Sequence, residues 1–147
     1  MENKYVKRME LIIKDRSLEE DISYKCSEDV ATKCKFVKDL LKKEREQFIV
    51  MFLNIKNQIK GYEIIAEGSM TSAIVHPREV LRSSIIAGAA SIVLAHNHPS
   101  GDPEPSIDDI EITHRIVKAA NICGIDVLDH IVIADKGYFS FKQKNML

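Results

Sequence analysis

Two histidines, a serine and an aspartate stand at a spacing that suits metal chemistry. They lie in the stretch His96-Asn97-His98-Pro99-Ser100-Gly101-Asp102-Pro103-Glu104-Pro105-Ser106-Ile107-Asp108-Asp109. The apolar run Ser91-Ile92-Val93-Leu94-Ala95 before it predicts a buried strand. Side chains at i and i+2 of an extended segment share a face, so His96 and His98 point the same way. A stiff Pro/Gly loop returns the chain to Ser106, and Ser106 with Asp109 three residues on has the form of a helix start. With helix and strand side by side, Asp109 can face both imidazoles. Two imidazoles and one carboxylate on a rigid frame are what catalytic zinc needs, with a fourth position left for water. Each fragment also has a plain structural explanation: an H-x-H strand without metal, a capping box, prolines that only stiffen a turn. The residues alone leave both readings open.

Several elements must form to position these groups. Tyr5 to Lys14 fits an edge strand, and Asp15 to Asp21 a loop. Ser27-Glu28-Asp29 marks a helix start, with Ser27 as N-cap and acids in the first turn. Val30, Cys34, Val37 and Leu41 follow at helical spacing, and Phe36 and Leu40 widen the stripe. Lys33, Lys35, Lys38, Lys42 and Lys43 lie largely outside it and read as a solvated face before a phosphate-binding one. Glu46 to Ile55 is a core strand, Lys56-Asn57-Gln58 a turn, and Ile59 to Glu67 the returning strand. Gly68-Ser69 ends it, and Met70 to Val75 connects onward. Pro77 suits a first helical position, with Val80, Leu81, Ser84, Ile85 and Gly88 on one face. The helix after Ser106 carries Ile107, Ile110, Ile116, Val117 and Ala120, and Gly124 fits its C′ position. A strand from Ile125 to Ala134, a turn at Lys136-Gly137, a short strand Tyr138 to Phe141 and a loose polar tail complete the chain. This order predicts an α/β sandwich around a mixed sheet flanked by helices.

The 147 residues suffice for one compact domain with a sizeable core. Within it, residues 1–35 hold an N-terminal strand and the start of the first helix, and 36–147 the main domain. A formal net charge of −1 gives no global electrostatic argument for nucleic acid or an anionic membrane. No signal-peptide pattern and no bilayer-length apolar run are visible. Cys26, Cys34 and Cys123 are odd in number and lack CxxC spacing, so they read as reduced thiols of a cytoplasmic protein.

His96-x-His98, seven intervening residues, Ser106, two residues and Asp109 resemble the JAMM motif of the MPN-type metalloprotease domain. The string from His96 through Ser106, with His76-Pro77-Arg78-Glu79 and Leu128-Asp129-His130-Ile131-Val132, is similar to the RadC branch of that family. The resemblance covers roughly Phe36 to Phe141. It implies a curved sheet flanked by helices, related in shape to the cytidine deaminases. It implies Zn2+ bound by His96, His98 and Asp109. It also implies a zinc-dependent metallopeptidase, with isopeptide bonds among its conceivable targets and a peptide or protein as substrate. Full-length RadC proteins usually carry an N-terminal helix-hairpin-helix region, for which little room is expected here.

Zinc lowers the pKa of a water it binds to about 7, but amide hydrolysis also needs a carboxylate to move the proton. In JAMM proteins this is a Glu at the start of an earlier core strand. Glu46 is the matching position and Glu44, two residues earlier, the runner-up; a solvated strand-end residue is the bland alternative for Glu46. Ser106 can cap the helix and, by resemblance, donate to the developing oxyanion. His76 and His130 suit structural or supporting roles. His114, five residues after Asp109, falls roughly 140° around the helix and faces elsewhere.

Other classes fit less well. A DNA-repair-associated protein acting on nucleic acid is the main alternative, supported only by the RadC resemblance. A nucleobase deaminase would need H-x-E and P-C-x-x-C, which are absent. An HNH nuclease spreads its residues over a ββα unit. An inactive MPN scaffold would not need all three ligands and the serine intact.

Overall fold

The computed structural model describes residues 23–68 and 75–147. The expected strand from Tyr5 to Lys14, the loop after it and most of the connector after Gly68 lie outside those residues. The described elements are α1 (Ser27–Lys33), α2 (Lys35–Leu40), β1 (Gln47–Leu53), β2 (Ile59–Glu67), α3 (Pro77–Ile86), β3 (Ser91–Asn97), α4 (Ile107–Ile122), β4 (Asp126–Ala134) and β5 (Gly137–Ser140). The five strands form one mixed sheet in the order β2-β1-β3-β4-β5. β3 and β4 are parallel, and the other neighbouring pairs are antiparallel. A parallel pair needs a crossover connection, which α4 supplies.

Alternation along β1 and β3 divides the core between two faces. Phe48, Val50, Phe52, Ile92 and Leu94 pack with Val80 of α3 and with Ile112, Ile116 and Ala120 of α4. Ile49, Met51, Leu53, Val93 and Ala95 pack with Val30, Cys34, Val37 and Leu40 of α1 and α2. Strands covered on both faces need apolar residues at every position, which explains the unbroken runs in β1 and β3. The same parity sends His96 to the α4 side and Asn97 to the α1–α2 side.

Four local expectations are corrected. The single helix expected from Ser27 to Leu41 is two, broken where Cys34 adopts φ −66° and ψ 112°. Ser27 is its first helical residue and not its cap, because the Ser27 hydroxyl donates to Asp129 in β4. Leu41 and Ile107, expected on apolar stripes, are exposed; Ile107 is 83% exposed at the first position of α4. The tail expected to be loose is turned back on itself. Met146 N–H donates to the Phe141 carbonyl at 2.8 Å, and Phe141 is buried.

Asp129 is the polar hub of the α1 side and is fully buried. One carboxylate oxygen accepts from the hydroxyls of Ser27 and Ser140, the latter at 2.7 Å. The other accepts from the backbone N–H groups of His130 at 2.7 Å and Lys142 at 3.0 Å. It thereby ties α1 and the C-terminal turn to β4. Among the described residues no helix is long and apolar enough to cross a membrane.

Candidate metal centre

The centre forms where β3 ends, α4 begins and β1 starts. β3 stops at Asn97, but the His98 N–H still bonds the Ile133 carbonyl of β4 at 2.8 Å. His96 and His98 therefore keep a common side, with their Nε2 atoms 3.0 Å apart. The loop then turns at Gly101, whose φ of 87° suits glycine. Its N–H bonds the His98 carbonyl at 3.0 Å, and its own carbonyl accepts from Lys136 N–H at 3.1 Å.

Ser106 caps α4 in a reciprocal box. Its Oγ accepts from the Asp109 N–H at 3.1 Å, and Asp109 Oδ2 accepts from the Ser106 N–H at 2.8 Å. The cap fixes the Asp109 carboxylate over the helix N-terminus, where the dipole favours negative charge. Asp109 Oδ1 lies 3.3 Å from His96 Nε2, and Oδ2 lies 3.2 Å from His98 Nε2. Metal–ligand bonds of 2.0–2.2 Å in a tetrahedron place neighbouring donor atoms about 3.3–3.6 Å apart. The separations here, 3.0, 3.2 and 3.3 Å, lie at or a few tenths of an ångström below that range, and the donor chemistry of the three side chains fits zinc. His98 Nδ1 sits 2.9 Å from the Asp102 carbonyl, which can only accept. The proton of the neutral ring is therefore on Nδ1, which leaves the lone pair on Nε2.

Charge follows the same geometry. Burial opposes ionisation of Asp109, yet the facing imidazoles of His96 and His98 outweigh it and hold its carboxyl well below the ordinary carboxylate range. Asp109 in turn raises the His98 pKa above that of a free histidine. His130 is pushed the other way by complete burial and is neutral.

Glu46 reaches this centre through sheet register. Phe48 pairs with His96 across the antiparallel β1–β3 ladder, so two residues outward Glu46 falls beside His98. Its Oε1 is 3.9 Å from His98 Nε2. Asn97 holds the backbone there: Gln47 N–H donates to its Oδ1 at 2.7 Å, and its amide donates to the Arg45 carbonyl at 3.1 Å. Gly68 N–H closes the other side on the Glu46 carbonyl at 2.9 Å. Glu44, Arg45, Glu46, Gly68 and Pro99 line an open cleft of about 550 Å³. Glu44 thus shares the cleft, while a carboxylate contact to His98 is recorded for Glu46.

His76 caps α3, its Nδ1 accepting from the Arg78 N–H at 3.0 Å. His114 faces away from the centre and contacts the Met146 carbonyl. His130 lies directly behind His96, its Nε2 2.8 Å from His96 Nδ1 and its Nδ1 2.6 Å from the Thr113 hydroxyl. Sequence reasoning passed over Thr113 and Asn97. Asn97 had a signal, since alternation sends it opposite to its two histidine neighbours. Thr113 had a weaker one, four residues after Asp109 on one helix face.

The sequence matches the RadC-like JAB domain family over residues 24–146. It is 51% identical over 102 residues to a UPF0758 protein of Symbiobacterium thermophilum, covering 69% of this chain and 44% of that protein. It is 48% identical over 124 residues to a UPF0758 protein of Desulforamulus reducens, covering 84% of this chain and 53% of that protein. A UPF0758 protein of Bacillus cereus is 50% identical over 101 residues, 69% of this chain and 45% of its own length. The chain spans about half the length of the curated relatives it matches.

Proposed function

This chain belongs to the RadC-like JAB domain family, and on that premise we propose that it is a zinc-dependent metallopeptidase acting on a peptide or protein amide bond. The observation that carries the reading is the convergence of His96 Nε2, His98 Nε2 and the Asp109 carboxylate, with Glu46 beside them on an open cleft. Zinc held by those three side chains supplies a Lewis acid that polarises a carbonyl and brings a water to a pKa of about 7.

The protein's own groups do the rest. Glu46 accepts the proton of the attacking water and delivers it to the departing amine, a role supported by its carboxylate oxygen lying 3.9 Å from His98 Nε2. The Ser106 hydroxyl accepts from the Asp109 N–H as the helix cap, so its own hydrogen stays free to donate to the oxygen that gains charge. Asn97 keeps the Glu46 backbone in place from the far side of β3.

Metal analysis of the purified protein, after zinc loading and removal of excess, is expected to give close to one zinc per chain. Chelation should abolish cleavage of a panel of peptide and isopeptide substrates, and zinc should restore it. A folded protein that never takes up zinc removes the reading. Zinc-dependent cleavage of nucleic acid in place of peptides would move it to the DNA-associated class.

Ser106→Ala is expected to retain zinc while losing roughly 1 kcal/mol of stability with the cap. Turnover on the same substrate should fall, by up to about 10²–10³-fold for a lost oxyanion donor. Unchanged turnover would limit Ser106 to capping.

A further inference from the structure

We propose that Thr113 and His130 are positioning residues that fix the ring proton of His96 on Nδ1 and so present its Nε2 as a lone pair to the metal. The inference rests on the metal-site reading above.

The chain of contacts has a definite direction. It begins at the backbone carbonyl of Asp109, which can only accept. The Thr113 hydroxyl donates to that carbonyl at 2.5 Å, which uses its single hydrogen. Toward His130 Nδ1, 2.6 Å away, the Thr113 oxygen must therefore act as acceptor, so His130 carries its proton on Nδ1. His130 Nε2 is then a lone pair, and it lies 2.8 Å from His96 Nδ1. That contact is satisfied only when His96 holds its proton on Nδ1. The remaining nitrogen of His96, Nε2, is the one that faces His98 and Asp109.

No solvent relieves this constraint. His96, Thr113 and His130 are all fully buried. The His130 ring stacks on Phe141 at 4.9 Å and meets the edge of Phe48 at 5.3 Å. Each polar atom in the chain must be paired within it, because a buried unpaired group is costly. The loop is also closed on itself: Asp109 contributes its carboxylate to the centre and its carbonyl to the tautomer lock. α4 and β4 thus set the ring state of a residue on β3.

The test uses the full chain loaded with zinc. Nitrogen-15 NMR of the imidazoles is expected to find both His96 and His130 protonated on Nδ1; a proton on Nε2 of either ring overturns the proposal. Competition with a chromophoric chelator measures zinc affinity. Thr113→Val keeps shape but removes the acceptor, and its affinity is expected to fall about 10–100-fold. Thr113→Ser keeps the hydroxyl and should stay close to wild type. Cobalt substitution gives an independent readout, as the visible bands of Thr113→Val should differ from those of wild type and of Thr113→Ser. If Thr113→Val does not fold, His130→Gln, which retains an acceptor, is expected to bind zinc more tightly than His130→Leu, and equal affinities overturn the proposal. A folded Thr113→Val with a lower melting temperature but wild-type zinc affinity also overturns it, since that is a structural role alone. Wild-type protein that binds no zinc sinks the metal reading itself; wild-type binding with an indifferent Thr113→Val sinks only this inference.

Discussion

Glu46→Gln is expected to leave zinc bound and to lower turnover by about 10²–10⁴-fold, the usual range for losing a general acid–base group. Glutamine keeps the size and shape of glutamate but cannot take the proton of the attacking water. Zinc affinity should change little, because His96, His98 and Asp109 remain and Glu46 Oε1 is 3.9 Å from His98 Nε2. His98→Ala is the contrasting variant and should lose metal and activity together. The two separate in melting experiments, since a metal bound only to the folded state stabilises it by mass action. Glu46→Gln should keep the rise in melting temperature on adding zinc, and His98→Ala should lose most of it. If Glu46→Gln abolished zinc binding, Glu46 would be a ligand and the mechanism would be wrong. If Glu46→Gln were fully active while Glu44→Gln was dead, the proton shuttle would be Glu44, which lines the same cleft.

Asp129→Ala is expected to cost roughly 3–5 kcal/mol of folding free energy, the range reached when a buried polar network is broken. The carboxylate is fully buried and accepts from two hydroxyls and two backbone N–H groups. Removing it leaves those donors in a place water does not reach. It also removes the side-chain tie that holds α1 and the C-terminal turn to β4. Asp129→Asn should be milder, because its carbonyl can still accept while its amide faces a donor. Denaturant titration at fixed zinc measures both. A loss below about 1 kcal/mol for Asp129→Ala, as for an ordinary single hydrogen bond, would show that these contacts contribute little.

The sequence was most informative where neighbouring residues set the outcome. The apolar runs of β1 and β3, the capping pair Ser106 and Asp109, Pro77 opening α3 and Gly124 after α4 are local signals, and each lies where its chemistry predicted. The grouping of His96, His98 and Asp109 was legible for the same reason, as two short-range periodicities joined by a loop of fixed length bring the three together. Glu46 was legible only through resemblance; the register that sets it beside His98 pairs residues about fifty positions apart.

The failures also have a common cause. Helical periodicity placed Leu41 and Ile107 on buried stripes, yet both are exposed, because a stripe is buried only as far as a facing element covers it. Nothing local marks the break at Cys34, whose side chain lies in the core. Ser27 had the chemistry of a cap, but its hydroxyl is taken by Asp129, 102 residues later. The network behind the candidate centre joins Thr113 on α4, His130 on β4 and His96 on β3. Each of these residues has an ordinary local reading. Only the parallel pairing of β3 with β4, and the packing of α4 across them, excludes water and obliges the three to satisfy one another's hydrogen bonds.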